Sequence, residues 1–306
     1  MSGNDYKLVQ LANGTASVYS SAYDEKMHPG LGPAAEADLL YVRQLKIPER
    51  MQDGSGEFVV WDVGLGAAAN ATAVLRATKD IARPLRLVSF DNTAEPLAFA
   101  LENAEALGYL AEYEAHVEAV LSQRQVQFTN GASSVTWQFH LGDFPNLLAG
   151  SSRGNEPQSK IGTSETRLEP PHVGCYEFAS PHTILFDAFS PAKNPAMWTL
   201  PLFTNLHRAL NPQRPCNLTT YSRSTMFRVT LLLAGFFVGR GVASGVKEET
   251  TVAANTLELI DAPLDRPWLE RVQRSGSAEP LQKPVYAQSP LSDGCWAKLT
   301  THSQFN

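Results

Sequence analysis

At 306 residues, 43% hydrophobic, 18% charged and with a formal net charge of −6, the chain has the composition of a folded domain, which excludes disorder as its main state. Cys175, Cys216 and Cys295 are widely spaced, so they offer neither a disulfide framework nor a C-x-x-C metal pair. The opening MSGNDYKLVQ lacks the apolar run of a signal peptide, and the most apolar stretch, 229–239, is about half the ~20 residues of a membrane span. A soluble, cytoplasmic protein without metal is expected.

Residues 1–50 are polar and form a lead-in with one helix near 33–45, expected to pack on a single domain over 51–306. The first strand is EFVVWD (57–62), followed by a glycine turn and a helix over 69–79. A second strand, LRLVSF (85–90), ends at Asp91 and precedes a helix over 95–107. The third, VTWQFHL (135–141), ends at Gly142-Asp143. TILF (183–186) ends at Asp187, and a fifth strand covers 218–221. A helix over 227–234, closed by Gly235, leads to a last strand at 236–238. Strands alternating with helices predict a mostly parallel, doubly wound α/β sheet with an antiparallel edge strand. The Pro/Gly/Ser-rich segment 150–181 reads as a polar insertion.

Four acids, Asp62, Asp91, Asp143 and Asp187, stand at or just beyond the carboxyl ends of these strands. Ligands of open α/β sheets bind at that edge. A single aspartate there is ordinarily a turn or cap residue. Four in successive units, with the turn Asp62-Val-Gly64-Leu-Gly66 after the first, point to a ligand. The turn also satisfies G-x-G-x-x-G/A, so a dinucleotide site competes. The carboxylate two residues before Gly64 suits a cationic amino-acid end and poorly suits a pyrophosphate. With Asp91 placed for ribose hydroxyls and Asp143 near a base edge, S-adenosylmethionine is the favoured cofactor. H-E-x-x-H, Walker A and G-x-S-x-G patterns are absent.

The segment 184–198, ILFDAFSPAKNPAMW, resembles the methyltransferase half of the MnmC-type tRNA wobble-uridine modification enzymes. Gly64, Gly66 and Asn70 fit that family's glycine turn. Asn13-Gly14-Thr15, Tyr19 and Glu25-Lys-Met-His28 are similar to its lead-in, and Ala234-Gly235-Phe236 to its A-G-F segment. Ala68 stands where the family has its third glycine, and Ala188 where it has Gly after the aspartate. No second glycine-rich nucleotide motif follows, which implies a methyltransferase without the flavin oxidase half.

The resemblance implies a Rossmann-like methyltransferase fold and methyl transfer from S-adenosylmethionine to the aminomethyl group of a wobble uridine in tRNA. Asp62, Gly64, Gly66, Asn70, Asp91 and Asp143 would hold the cofactor. Asp187 would orient the neutral amine, a helix cap being its competing role. Phe189 and Trp198 would sandwich the base, with core packing the competing reading for Trp198. Lys193, Arg223 and Arg228 would meet phosphates, because 188–247 holds seven cations and no acid. A small-molecule N-methyltransferase and a non-catalytic binding descendant are the alternatives.

Overall fold

The computed structural model describes residues 5–152, 178–245 and 248–306. Most of the expected insertion, Cys175 and Lys247 lie outside them. Three strands, β1 (Tyr6–Gln10), β2 (Ala16–Ser20) and β3 (Glu25–Lys26), form a small antiparallel sheet in the lead-in. The main sheet comprises β4 (Phe58–Val63), β5 (Leu85–Asp91), β6 (Gln125–Asn130), β7 (Ser133–Leu141), β8 (Thr183–Phe186), β9 (Asn217–Thr220), β10 (Phe237–Gly241) and β11 (Thr250–Ala254). Its order is β10-β11-β9-β8-β4-β5-β7-β6. The five strands β9, β8, β4, β5 and β7 are parallel, and antiparallel strands close both edges. The expectation of one antiparallel edge is thus met on each side.

Period-two alternation explains why β4 is apolar throughout. Phe58 and Val60 enter one core, while Val59, Trp61 and Val63 enter the other. A strand buried on both faces reads as a continuous hydrophobic run because each face packs on helices. The first core includes helices Ala69–Thr78, Glu95–Glu102 and Glu114–Gln123, together with Tyr6, Val18 and Leu40 of the lead-in. Behind the second core stand Leu200–Ala209, Thr225–Ala234 and Arg266–Val272. The lead-in helix Pro33–Ala37 continues into a π-helical turn, Asp38–Arg43.

The chain runs from β4 outward through β5 to β7, then returns to lay β8 and β9 on the other side of β4. The strand order therefore reverses between β4 and β8. That reversal opens a crevice outside their carboxyl ends, where such sheets take ligands.

Candidate active site at the strand-order reversal

A cavity of about 550 Å³ fills this crevice. Its size falls within the roughly 300–1,000 Å³ of small-molecule sites. Gly64, Gly66, Asp91, Asp143, Asp187 and Phe189 line it, as the sequence suggests. The three acids among them come from the ends of β5, β7 and β8, which is how residues as far apart in sequence as Asp91 and Asp187 meet at one edge.

The glycine turn is shaped by one close approach and by two positive φ angles. Gly64 has φ +94°, and a Cβ there would lie 2.6 Å from the backbone oxygen of Asp187. The turns after β4 and β8 touch at this point, so only glycine fits. Gly66 has φ +51° and faces the sulfur of Met27. Ala68, at the entrance to the helix, also adopts a left-handed conformation, φ +61°. For a residue with a Cβ that conformation is strained.

Asp91 is oriented by its own surroundings. Gly66 N–H donates to one carboxylate oxygen at 2.8 Å and Thr93 N–H to the other at 3.2 Å. Burial raises its pKa, and the backbone donors oppose the rise. Its free lone pairs can accept a diol. With bare glycine backbone beside it, Asp143 along the wall and apolar Val63, Leu65, Phe90 and Phe144 between, the lining fits S-adenosyl-L-methionine.

Asp62 departs from expectation. It is fully buried and absent from the cavity wall. Ser89 Oγ–H donates to one oxygen at 3.0 Å, and the other has no partner. Burial first, then the charges of Asp187 and Asp91, push its pKa up to about 7 against the Ser89 bond. Asn70 is likewise 3% exposed and off the wall, so neither residue touches a ligand directly. The Asn70 side chain is instead spent on Asp187, donating from Nδ2 to Oδ2 at 2.8 Å.

That same Asp187 oxygen lies 3.4 Å from His28 Nε2. His28 sits at φ +49°, a left-handed backbone that turns its ring inward from the lead-in. The buried Tyr41 hydroxyl also feels Asp187: burial and then this charge raise its pKa well above the ordinary phenol value. Asp187 begins no helix; a short turn, Pro195–Trp198, starts eight residues later with Asn194 at its cap. The capping role therefore does not apply.

The lead-in does more than the sequence suggests. Tyr23 stacks on Phe189 with ring centroids 4.1 Å apart. Glu25 accepts from Ser190 N at 3.1 Å and from its hydroxyl. Tyr19 donates to Asp24 at 2.6 Å, and Asp24 pairs with Lys193 at 3.4 Å. One wall of the cavity is therefore the segment 23–30. The only signal for it was the lead-in resemblance at Glu25 and His28. Glu36, also on the wall, was not singled out in the sequence; in the structure it shares the buried face of its helix with Pro33 and Ala37.

Two expected substrate contacts are corrected. Trp198 is fully buried, edge-on to Phe227 at 4.7 Å and Phe186 at 5.5 Å, and its indole donates to Phe189 O at 2.8 Å. It cannot sandwich a base; it holds Phe189, whose stacking partner is Tyr23. Arg228 is 2% exposed, paired with Glu249 at 2.8 Å and bonded to Thr250 O and Thr251 Oγ1. It is a core cation with its donors engaged, not a phosphate ligand. Arg223 is exposed, 3.3 Å from Glu248. Arg240 pairs with Glu249 and Asp265. The acid-free stretch is thus neutralised in part by acids from other segments.

Among the described residues, no His/Cys/Asp/Glu group could hold a metal ion and no helix is long and apolar enough to cross a membrane. Residues 176–256 match the family described as S-adenosyl-L-methionine-dependent methyltransferase. The tRNA 5-methylaminomethyl-2-thiouridine biosynthesis bifunctional protein MnmC of Vibrio vulnificus (strain CMCP6) is 26% identical over 251 residues, covering 78% of this chain and 34% of that protein. The MnmC of Ectopseudomonas mendocina (strain ymp) is 40% identical over 85 residues, 28% of this chain and 12% of its own. The chain thus spans about a third of the length of the first of these relatives. The crystal structure of MNMC2 from Aquifex aeolicus superposes with a TM-score of 0.63 at 18% identity, covering 98% of this chain and 85% of that one. By sequence the chain is similar to MnmC over most of its length, residues 176–256 match a methyltransferase family, and its fold is that of MNMC2.

Proposed function

We propose that the protein transfers a methyl group from S-adenosyl-L-methionine to the aminomethyl nitrogen of a modified wobble uridine in tRNA, and that it works in the cytoplasm. The observation that carries this is Asp187, held by Asn70 at the crevice between β4 and β8, next to a cofactor-shaped wall. The relatives' printed names supply the substrate class. Residues 51–306 would act as one catalytic unit, with the lead-in completing its wall.

The cofactor supplies an electrophilic sulfonium methyl when bound. Asp91 would take its ribose hydroxyls, with Gly64 and Gly66 leaving the backbone open beside it and Asp143 at the base edge. Alignment of amine and methyl can lower the barrier by several kcal/mol. A primary amine of pKa about 10 arrives mostly as ammonium and has no lone pair to attack with. Asp187 would accept its hydrogen bond and proton, leaving the nitrogen lone pair free to displace the thioether. Asn70 and His28 position that carboxylate. Phe189, backed by Tyr23, offers a stacking face for the base. Lys193 and Arg223, both exposed, would meet phosphates.

A small-molecule amine methyltransferase is the second reading. It is favoured by the acid-rich lining, where Asp24, Glu25, Glu36, Asp91, Asp143 and Asp187 face Lys26 and His28. Mass spectrometry of tRNA nucleosides from cells with and without the gene separates the two. Loss of the methylated nucleoside supports the tRNA reading, and an unchanged nucleoside profile rejects it.

A further inference from the structure

Glu36 is a carboxylate in a place that ordinarily excludes one. It stands on the helix Pro33–Ala37, is 6% exposed and lines the cavity. Its contact is a backbone one, Gly30 N–H donating to Oε2 at 3.2 Å. Among the described residues it takes part in none of the ion pairs, and His28 on the same wall faces Asp187 instead. A buried carboxylate without a countercharge is costly, and proteins ordinarily pair it. Here the open side is the cavity, so the cation that completes it comes with a ligand.

Two cations visit this cavity under the proposed reaction: the cofactor's amino-acid end and the acceptor amine. Glu36 accepts from Gly30, two residues after the His28 whose ring meets Asp187 at 3.4 Å, and so lies on the Asp187 side. The charges of both residues reach the buried phenols of Tyr41 and Tyr221, and Tyr221 donates to Ala188 O, at 2.9 Å, beside Phe189. The diol acceptor Asp91 is held instead by the backbone N–H groups of Gly66 and Thr93.

We infer that Glu36 is a specificity-determining residue that recognises the charged form of the acceptor amine. The inference rests on the amine-methylation reading and deepens it. Glu36 draws in the ammonium, and Asp187 takes the proton in the reactive geometry. An acceptor with a hydroxyl in place of the amine fills the same space and can donate to Glu36, but it brings no positive charge to balance the buried carboxylate, so the site disfavours it.

The test uses the full chain saturated with S-adenosylhomocysteine, titrated calorimetrically with 5-aminomethyluridine and, as the neutral isostere, 5-hydroxymethyluridine. The wild type is expected to prefer the amine. Glu36→Gln should weaken amine binding by about 10–100-fold, the worth of one hydrogen bond to a charged group, and leave the isostere and S-adenosylhomocysteine affinities unchanged. Glu36→Asp, which keeps the charge, should restore part of the preference, and thermal melts of both variants report folding. Retained preference in a folded Glu36→Gln protein overturns the assignment to Glu36 alone. A loss shared with S-adenosylhomocysteine assigns Glu36 to the cofactor and overturns it too. No preference in the wild type overturns the amine reading with it, whereas failure of the tRNA reading is seen independently in the nucleoside profile.

Discussion

Asn70 and Asp187 are 117 positions apart and share a hydrogen bond of 2.8 Å, Nδ2 to Oδ2, across the crevice between the first and fourth parallel strands. Because Asn70 belongs to the helix that follows the glycine turn, this bond ties the cofactor-side loop to the acid expected to do the chemistry. Asn70 Oδ1 is buried without a partner, so the amide is fixed by its donor side alone.

Asp187→Asn tests that chemistry. The variant keeps an oxygen to accept from Asn70, so cofactor affinity and folding should persist. Turnover should fall by about 10²–10⁴-fold, as expected when a general base loses its charge. Single-turnover methyl transfer to tRNA, alongside cofactor calorimetry, reads both. Full activity in the folded variant would show that proton loss to solvent suffices.

Asp91→Ala should weaken S-adenosyl-L-methionine by about 10–100-fold, since each charge-assisted hydrogen bond contributes roughly 1.5–3 kcal/mol. Asp62→Asn should change cofactor affinity far less, because Asp62 is not on the cavity wall. Its effect is on stability. A folded pKa raised from 3.8 to about 7 means that the folded state holds a proton which the unfolded state releases at lower pH. Wild-type stability from this group is therefore intact below about 3.9 and is lost as pH rises through about 7. The Asn variant escapes that loss. Denaturant unfolding should show its advantage growing between pH 4 and 7 to an order of 4 kcal/mol at most. A difference independent of pH would refute the buried, protonated state.

His182 carries the opposite slope. Burial first, then Arg214, Arg83 and Arg50, lower its pKa from 6.5 to about 4, and its Nδ1 accepts from Val59 N–H at 3.0 Å. The neutral ring's contribution is complete above about 6.5 and lost as pH falls through about 4. His182→Asn keeps an acceptor and cannot charge, so the stability difference from wild type should shift in its favour on acidification. A difference that stays constant from pH 7 to 4 counts against this.

Ala68 offers a test of strain at the turn. A left-handed alanine costs about 1–2 kcal/mol, and glycine relieves it at the expense of chain entropy. Ala68→Gly should be neutral or stabilising by up to about 1 kcal/mol. Ala68→Val, β-branched and fully buried at this position, should destabilise by more than 2 kcal/mol. Thermal unfolding distinguishes them, and a destabilised glycine variant would rule out strain as the controlling factor.

The parallel core was legible because β4, β5, β7 and β8 carry apolar residues at successive or alternate positions, with an acid at or just beyond each carboxyl end. β6 (QVQFTN) and β11 (TTVAA) were not: one is a polar edge strand and the other is built of small residues, and both owe their state to pairing with neighbours. At the site, strand-end position correctly brought Asp91, Asp143 and Asp187 to the cavity, because the sheet's carboxyl edge fixes it. Whether Asp62 faces the ligand or the core is decided by strand parity: it shares the side of Phe58 and Val60, one residue before the exit. The lead-in wall, Tyr23 to Gly30 and Glu36, depends on long-range packing, and beyond the resemblance at Glu25 and His28 no local pattern records it.

Arg223 and Arg228 look alike in the sequence, five residues apart in the same acid-free stretch, and the fold gives them opposite tasks. Arg223 is exposed, and its pair with Glu248, half and almost fully exposed respectively, is of the kind that contributes little to stability. Arg223→Gln should leave the melting temperature nearly unchanged. If the stretch meets tRNA, it should weaken binding uniformly across tRNAs and reduce the salt slope by about one phosphate contact. Arg228→Gln removes a buried guanidinium, takes a donor from the Thr250 carbonyl and leaves the part-exposed Glu249 with Arg240 alone. Losing such buried hydrogen bonds costs about 1–3 kcal/mol, so this variant should melt earlier or accumulate poorly. Its residual folded fraction should bind tRNA with the wild-type salt slope. Filter binding across a salt series, paired with thermal melts, separates the two. An Arg228→Gln protein of normal stability but altered salt dependence would return Arg228 to the RNA surface.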